Sequence, residues 1–175
     1  MKKVVLLVVA LVMASFACNN AQAQTRIGKE HVVGLGLHYG YGAAPVANMG
    51  GLNVDFNLAS NNLRFRVDLD MFQRPYKGNS GCYGLSVDAQ YLFPMSKGDT
   101  DGFYMYPSLG FGYDFNKGAS NWNKNSEYGI GFNAGLGAEY QLNGRWGIFV
   151  EGDYQVRFKS AMNRPCFRIG FELGL

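Results

Sequence analysis

The chain has 175 residues, of which 24 are glycine and 15% are aromatic, with a formal net charge of +3. Without Lys2 and Lys3, which lie in a segment that we expect to be removed, 14 basic and 13 acidic residues remain. Such a balanced charge argues against a nucleic-acid partner, which would select a strongly basic surface. The length suits a single domain.

The N-terminus has the pattern of a secretory signal peptide. Lys2 and Lys3 precede an apolar run of 14 residues, 4–17, and Ala21-Gln22-Ala23 forms an A-x-A cleavage site. The run is shorter than a transmembrane helix requires. We therefore expect residues 1–23 to be a cleaved signal peptide and residues 24–175 to form the mature domain. A competing interpretation makes Cys18 a lipidated first residue, although residues 15–17 match the lipoprotein motif poorly.

Stretches that alternate between apolar and polar residues follow one another along the mature chain. This period of two predicts β-strands, because successive side chains of a strand point to opposite faces. Turn-forming clusters separate the stretches, and the sequence shows no helical pattern or second domain. Most of the stretches have the length of a tilted strand that crosses a bilayer. The eight predicted strands cover 32–41, 51–59, 63–72, 82–93, 102–115, 127–142, 146–158 and 166–175.

The two faces of these predicted strands differ sharply in chemistry. One face has 47 positions without a charged or amide side chain, while the other carries glycines and most of the charges. Large apolar groups would overfill the narrow lumen of a soluble eight-stranded barrel, whereas lipid favours them on the outside. We therefore predict an all-β, eight-stranded, antiparallel up-and-down transmembrane barrel. Its interior polar network would comprise Asp55, Arg64, Arg66, Asp68, Asp70, Asp88, Asp114, Glu139, Glu151, Asp153, Arg157, Arg168 and Glu172.

Aromatic residues concentrate at the ends of the predicted strands, as the interfacial girdles of a membrane barrel would. Ordinary aromatic enrichment in strands is the alternative explanation. One girdle would contain Tyr39, Tyr41, Tyr83, Tyr113, Phe115, Tyr128, Phe158 and Phe167, and the other Tyr91, Phe93, Phe103, Tyr140 and Trp146.

The final strand, CFRIGFELGL, alternates apolar residues to the C-terminus. In this feature, and over essentially all of the mature chain, the sequence resembles the small eight-stranded outer-membrane barrels of the OmpA/OmpX-like family. The resemblance implies location in the outer membrane of a Gram-negative bacterium and recognition of the last strand by the barrel-assembly machinery. The family usually ends in Phe, whereas this chain ends in Leu175. We expect no cofactor or metal, and a monomer.

With both termini in the periplasm, residues 43–50, 74–81, 116–126 and 159–165 would form the extracellular loops. These loops contain six cations and no acidic residue. Guanidinium and ammonium groups pair well with phosphate, so the loops could contact lipopolysaccharide. A solvated loop surface is the alternative. The six candidate contacts are Arg74, Lys77, Lys117, Lys124, Lys159 and Arg164.

The predicted interior holds nine acidic residues against four arginines and His38. Because eight strands leave a lumen that side chains fill, we expect a network of ion pairs that plugs the barrel. A narrow gated pore for small ions is the alternative, and a soluble secreted barrel that carries a lipophilic ligand is a second one. Pro107 lies inside the fifth predicted strand, where we expect a bulge or a locally unpaired partner.

Catalysis and covalent cross-linking both lack a clear sequence signature. The two histidines are His31, before the first strand, and His38, which points inward, so we predict no enzymatic activity.

Cys82 and Cys166 belong to the fourth and eighth strands, on opposite sides of an eight-stranded barrel. That separation should exceed the roughly 7 Å Cα distance of a disulfide. Because the sequence has no catalytic signature, we predict a structural role or an interaction role within the cell envelope.

Overall fold

The computed structural model describes residues 32–43, 46–58, 62–73, 82–96, 102–116, 129–142, 145–158 and 163–175. Within these residues, no helix is long and apolar enough to cross a membrane. The same residues form eight long strands: β1 Val33–Ala43, β2 Val46–Asn57, β3 Leu63–Gln73, β4 Cys82–Tyr91, β5 Gly102–Asn116, β6 Gly129–Gln141, β7 Trp146–Arg157 and β8 Arg164–Gly174.

The strands close into a single antiparallel barrel. Each strand pairs with the next one along the chain, and β1 pairs with β8 over nine positions, from Gly34 opposite Gly174 to Gly42 opposite Cys166. Closure pairs the backbone groups that would otherwise form two open sheet edges. The predicted eight-stranded up-and-down barrel is confirmed. We call the end where β1 begins and β8 finishes the terminal end, and the opposite end the loop end.

The alternating pattern of the sequence becomes an apolar exterior and a polar interior. Leu136 is 69% exposed and Leu109 is 65% exposed, whereas Asp55 and Arg64 are fully buried. Exposed aromatic residues occur towards both ends of the strands, with Tyr41 and Phe167 near the loop end and Tyr140 and Trp146 near the terminal end. This is the reverse of a soluble protein and matches a wall that faces hydrocarbon.

Two predicted loops are shorter than the sequence pattern indicated. The strand β2 begins at Val46 rather than at residue 51, because its pairing with β1 continues to Ala43 opposite Val46. Its first residues, VANMGG, lack a regular apolar alternation, so the pattern there is typical of a loop. The strand β8 begins at Arg164 rather than at Cys166, because its first two residues pair with Gln155 and Tyr154 of β7.

Pro107 interrupts the ladder between β4 and β5. Pairing stops at Gln90 opposite Ser108 and resumes at Phe93 opposite Met105, in the short segment Phe93–Pro94 that continues the line of β4. Tyr91 and Leu92 have no partner in β5, and the register on either side of this gap is unchanged. Because proline has no N–H to donate, the ladder cannot continue through it. The predicted locally unpaired partner is confirmed.

Candidate functional site

The barrel interior is the candidate functional site, because it gathers nearly all the charged side chains that the structure describes. The thirteen residues of the predicted interior network all lie on inward-facing positions, and each is at most 5% exposed. A charged group at such burial needs a partner, since an isolated buried charge is very costly. The network divides by height into a terminal, a middle and a loop-end layer.

In the terminal layer, two neighbouring arginines of β3 contact carboxylates from several strands. Arg64 Nη1 donates to Glu139 Oε2 at 2.6 Å and to Glu172 Oε2 at 3.1 Å. Arg66 binds Asp55 through two hydrogen bonds, from Nε at 2.7 Å and from Nη2 at 2.9 Å. The planar guanidinium suits this two-point contact, which also fixes the geometry of the acid. The layer therefore links β2, β3, β6 and β8.

Glu151 joins the terminal layer to the middle layer. Its Oε2 lies 3.2 Å from Arg66 Nη1, and its Oε1 accepts a 2.9 Å hydrogen bond from Arg168 Nη2. The hydroxyl of Tyr106 donates to Oε2 at 3.1 Å. Arg66 lies on β3 and Glu151 on β7, four strands away around a ring of eight. This contact therefore spans the full width of the lumen.

The middle layer is built around Arg168 and His38. Arg168 lies 3.2 Å from Asp68 Oδ2 and 3.3 Å from Asp153 Oδ1. His38 Nε2 is 2.6 Å from Asp70 Oδ1, while its Nδ1 is 3.9 Å from Asp68 Oδ1. His38, predicted to point inward, is thus engaged by a carboxylate inside the barrel. His31 lies outside the described residues.

The loop-end layer corrects one sequence-based assignment. Arg164 was predicted to lie in an extracellular loop, but it is the first residue of β8 and is only 2% exposed. Its Nη2 lies 3.0 Å from Asp114 Oδ2, and Arg157 Nε lies 3.2 Å from the same atom. Arg164 therefore belongs to the interior network and is unsuited to contact lipopolysaccharide.

Aromatic rings and glycines complete the packing around the charged groups. The Arg66 guanidinium lies 4.3 Å from the centre of the Phe149 ring, and that of Arg164 lies 4.1 Å from the centre of the Phe72 ring. Cation–π contacts of this kind are favourable when desolvated. A Cβ added at Gly112 would lie 2.6 Å from Arg157 Nη2, so the glycine provides room for the arginine.

Sequence reasoning missed many uncharged members of this interior. Gln90 accepts from Arg64 Nε at 2.6 Å, and Asn133 accepts from Arg157 Nη1 at 2.7 Å. The alternation in the sequence already placed these residues on the inward face, but the predicted network included charged residues only. The missed polar and aromatic members that are buried include Asn53, Ser86, Gln90, Tyr106, Ser108, Asn133, Gln141, Phe149 and Gln155.

With Arg164 included, nine carboxylates and five arginines line the described interior. The lumen therefore carries an excess of four acids over arginines, which favours cations over anions inside it. Among the described residues, no group of three or more histidine, cysteine or acidic side chains has an arrangement that could hold a metal ion.

Several predicted features lie outside the described part of the chain. These are the signal peptide of residues 1–23, Cys18 and the loop cations Arg74, Lys77, Lys117, Lys124 and Lys159. Cys166 is a buried free cysteine in β8. The backbone of Cys82 pairs with Phe72 and Asn116, but its side chain is not described.

A closed eight-stranded barrel with a charged interior and an apolar, aromatic-bordered exterior defines an integral membrane barrel. Comparison with family models agrees, because the outer membrane protein beta-barrel domain family matches residues 7–165. The chain belongs to this family and is an outer-membrane β-barrel protein. The alternative of a soluble carrier is wrong, because it requires an apolar lumen where this barrel places its charges.

Several solved structures have the same fold. The N-terminal β-barrel domain of OprF from Pseudomonas aeruginosa aligns with a TM-score of 0.61 and 16% identity, covering 82% of this chain and 96% of that one. Neisserial surface protein A aligns with a TM-score of 0.58 and 13% identity over the same shares. A de novo designed transmembrane β-barrel aligns with a TM-score of 0.51 and 18% identity, covering 86% of this chain and 98% of that one. Such low identities establish the fold alone. No curated protein matches the sequence.

Proposed function

We propose that the protein is a structural component of the outer membrane whose lumen is plugged by its interior network. The observation that carries this proposal is the hydrogen bond between Arg66 of β3 and Glu151 of β7, which crosses the full diameter. Further contacts span three strand positions, from Arg64 to Glu139 and from Arg168 to Asp68. Guanidinium groups held in this way occupy the path that a permeating ion would need.

The same network argues against catalysis. A general base must be able to reach its substrate. His38 is fully buried at the middle of the barrel and contacts Asp70, so it cannot meet a substrate at either membrane surface. Seven of the nine interior carboxylates lie within ion-pair distance of an arginine, at several heights of the barrel. We therefore assign the protein no enzymatic activity and no cofactor.

Conductance in a planar lipid bilayer tests the plug. The purified protein, inserted as a folded barrel, should produce no discrete openings in symmetrical potassium chloride under moderate applied voltage. Insertion is verified independently by protection of the barrel from added protease. Reproducible single-channel steps from the inserted protein would refute the plug.

A narrow pore is the second candidate, and the acid excess of the lumen supports it. Nine carboxylates against five arginines would favour cations and exclude anions. Any openings should then show a reversal potential close to the cation equilibrium potential in a salt gradient. Anion selectivity or absence of selectivity would contradict this version of the pore.

The proposed route to the membrane begins with export. Residues 1–23 are removed as a signal peptide, the barrel-assembly machinery recognises β8, and both termini remain in the periplasm. The mature protein acts as a monomer. The mass of the protein isolated from outer membranes tests the cleavage, because the mature chain should begin at Gln24. A lipidated chain that begins at Cys18 would contradict it.

We also propose that the loop end contacts the phosphates of lipopolysaccharide. Five of the six candidate cations remain after Arg164 is assigned to the interior: Arg74, Lys77, Lys117, Lys124 and Lys159. Replacing all five with Gln should weaken lipopolysaccharide binding and reduce its dependence on salt. Arg145→Gln, a cation at the terminal end, is the matched control. Equal binding by the fivefold variant and the control would refute the contact.

A further inference from the structure

The outer wall of the barrel carries an apolar groove with a volume of about 590 Å³. It crosses five neighbouring strands, from β5 through β6, β7 and β8 to β1. Outward-facing side chains form its walls, and the charged residues beside it, Glu151 and Arg168, direct their side chains into the barrel instead. The groove is therefore apolar over its whole length. Its walls include Tyr39, Met105, Leu136, Val150, Phe167 and Ile169.

Strand register explains the groove. Two adjacent rows of outward-facing residues run across the strands, and each row contains one small residue. In one row, Gly152 lies between Leu136 and Phe167. In the other row, Ala138 lies between Met105 and Val150. The missing side-chain volume at Gly152 and Ala138 opens a furrow between the larger neighbours.

The groove slopes from the loop end of the barrel towards the terminal end. On β1 it reaches Tyr41, two residues before that strand finishes at the loop end. On β5 it reaches Met105, three residues from the terminal end of that strand. Its upper mouth thus opens beside Tyr41, which belongs to the loop-end aromatic girdle. Tyrosine suits such a mouth, because its ring is apolar and its hydroxyl reaches the headgroup region.

We propose that this groove holds one acyl chain of a lipopolysaccharide molecule in the outer leaflet. The inference rests on the proposed orientation, with the loop end outside, and it extends the proposed headgroup contact into the bilayer. Within hydrocarbon, association depends on close packing rather than on the exclusion of water. A furrow contacts a chain from below and from two sides, whereas a smooth wall contacts it from one side only.

The size of the groove favours a single chain over a second copy of the protein. Five strands at about 4.8 Å spacing give a length of roughly 24 Å, and two residues along a strand give a width of roughly 7 Å. The resulting footprint of roughly 170 Å² is well below the roughly 800 Å² per partner of a stable protein interface. A narrow, flexible rod of hydrocarbon matches these dimensions.

The position of the mouth favours an outer-leaflet lipid. A chain that enters beside Tyr41 places its headgroup at the loop end, where the sequence provides the cation Lys159 between β7 and β8. A phospholipid of the inner leaflet would have to enter beside Met105, next to the turn before β5, where the sequence accompanies Lys97 with Asp99 and Asp101 and so provides no net positive charge. Lipopolysaccharide therefore suits both the apolar groove and the five candidate cations of the loops at the loop end, which we call the basic rim.

Filling the groove provides the test. In the double variant Gly152→Leu/Ala138→Leu, the new side chains occupy the furrow. A Cβ at Gly152 would lie 3.4 Å from Phe167 Cε1, which is an ordinary contact, so the backbone accepts the change. Ala89→Leu, on the outward face of β4 and away from the groove, is the matched control. A shift in gel mobility between unboiled and boiled samples verifies that each variant folds.

Each protein is purified from outer membranes, stripped of lipid and reconstituted in vesicles of phosphatidylethanolamine, phosphatidylglycerol and purified lipopolysaccharide. After extraction in mild detergent, native mass spectrometry counts the lipids that each barrel retains. Wild type and Ala89→Leu should retain one lipopolysaccharide molecule, and the double variant should retain about fivefold less, because it loses packing contacts.

Three outcomes would overturn the assignment: equal retention by the filled and control variants, retention of phospholipid in place of lipopolysaccharide, or a dimer that dissociates when the groove is filled. The variant that lacks the five loop cations tests the headgroup contact separately. If that variant keeps lipopolysaccharide while the groove-filled one loses it, the headgroup contact is refuted and the acyl-chain site in the groove is supported. If the groove-filled variant keeps lipopolysaccharide while the variant without the loop cations loses it, the acyl-chain site is refuted and the headgroup contact is supported.

Discussion

Glu151 is a side chain on which several contacts of the interior network converge. It accepts hydrogen bonds from Arg66 and Arg168, and from the hydroxyl of Tyr106. These donors come from three other strands, β3, β8 and β5. A single buried carboxylate therefore joins two buried guanidinium groups. Without it, Arg66 would keep Asp55 as a partner and Arg168 would keep Asp68 and Asp153, but each would lose one charge-assisted hydrogen bond.

Glu151→Gln should lower the free energy of unfolding by about 1–3 kcal/mol, because two guanidinium groups each lose a charge-assisted hydrogen bond while they keep their other carboxylate partners. Urea titration in detergent micelles, followed by tryptophan fluorescence, measures this change. Ser108→Ala is the matched control, because its hydroxyl makes only a marginal 3.4 Å contact with Glu151. If the two variants lose similar stability, the network is not held together through Glu151.

The sequence predicted correctly which side chains point into the barrel within the strands, but it did not predict this near the strand ends. Arg157 and Arg168 lie within clear alternating stretches, so their inward direction followed from the period of two. Arg164 precedes Pro165 in the turn-like run NRPC, and the pattern there is typical of a loop. Its interior position depends on pairing with Gln155 and on the carboxylate of Asp114 from β5, which are contacts distant in sequence.

At the scale of the strand, the outward side chains contact hydrocarbon in the middle of the wall and the headgroup region near the strand ends. Leu136 lies near the middle of β6 and is 69% exposed, so a charge there would sit deep in hydrocarbon. Asn48 is also exposed, but it lies near the loop end of β2, where an amide is tolerated. The outward face therefore changes in polarity with depth.

Leu136→Arg should make folding into lipid vesicles less favourable by about 2–4 kcal/mol, the cost of an arginine near the bilayer midplane. Asn48→Arg should cost no more than about 1 kcal/mol, because depth determines the penalty. Leu136→Phe controls for the loss of leucine itself. Equal tolerance of arginine at both depths would overturn the assignment of the lipid-facing surface.

An inward arginine on the same strand is an unsuitable comparison. Parity alone predicts that Gly137→Arg is much better tolerated than Leu136→Arg. The ring of Tyr106 covers Gly137 so closely that even an added Cβ would clash with it. Parity indicates the direction of a side chain, but the space available inside the barrel depends on residues from other strands.

The gap at Pro107 is a local weakness of the wall. Pro107→Val should raise the free energy of unfolding by about 1 kcal/mol, because the new N–H can donate to the unpaired backbone of β4. Leu109→Val, an outward change on the same strand, controls for the effect of β-branching. Urea titration compares the three proteins. A valine that leaves stability unchanged, or lowers it, would show that the gap is not caused by the missing donor.

At the scale of the whole molecule, the fold was predictable because alternation is a local property that every strand repeats. The eight stretches, their order and the inside and outside faces all follow from it. The contacts across the lumen were not predictable, because they depend on the stagger between strands that closure imposes. The pairing of Arg66 with Glu151, 85 residues apart, is a consequence of this stagger.

The most direct test of the central claim, that the apolar face meets lipid around a closed barrel, is gel mobility of the protein from isolated outer membranes with and without boiling. The closed barrel should be present in the membrane fraction, resist the detergent until boiled, and migrate faster when unboiled. Recovery of the protein in the soluble fraction, with the same mobility before and after boiling, would contradict the account.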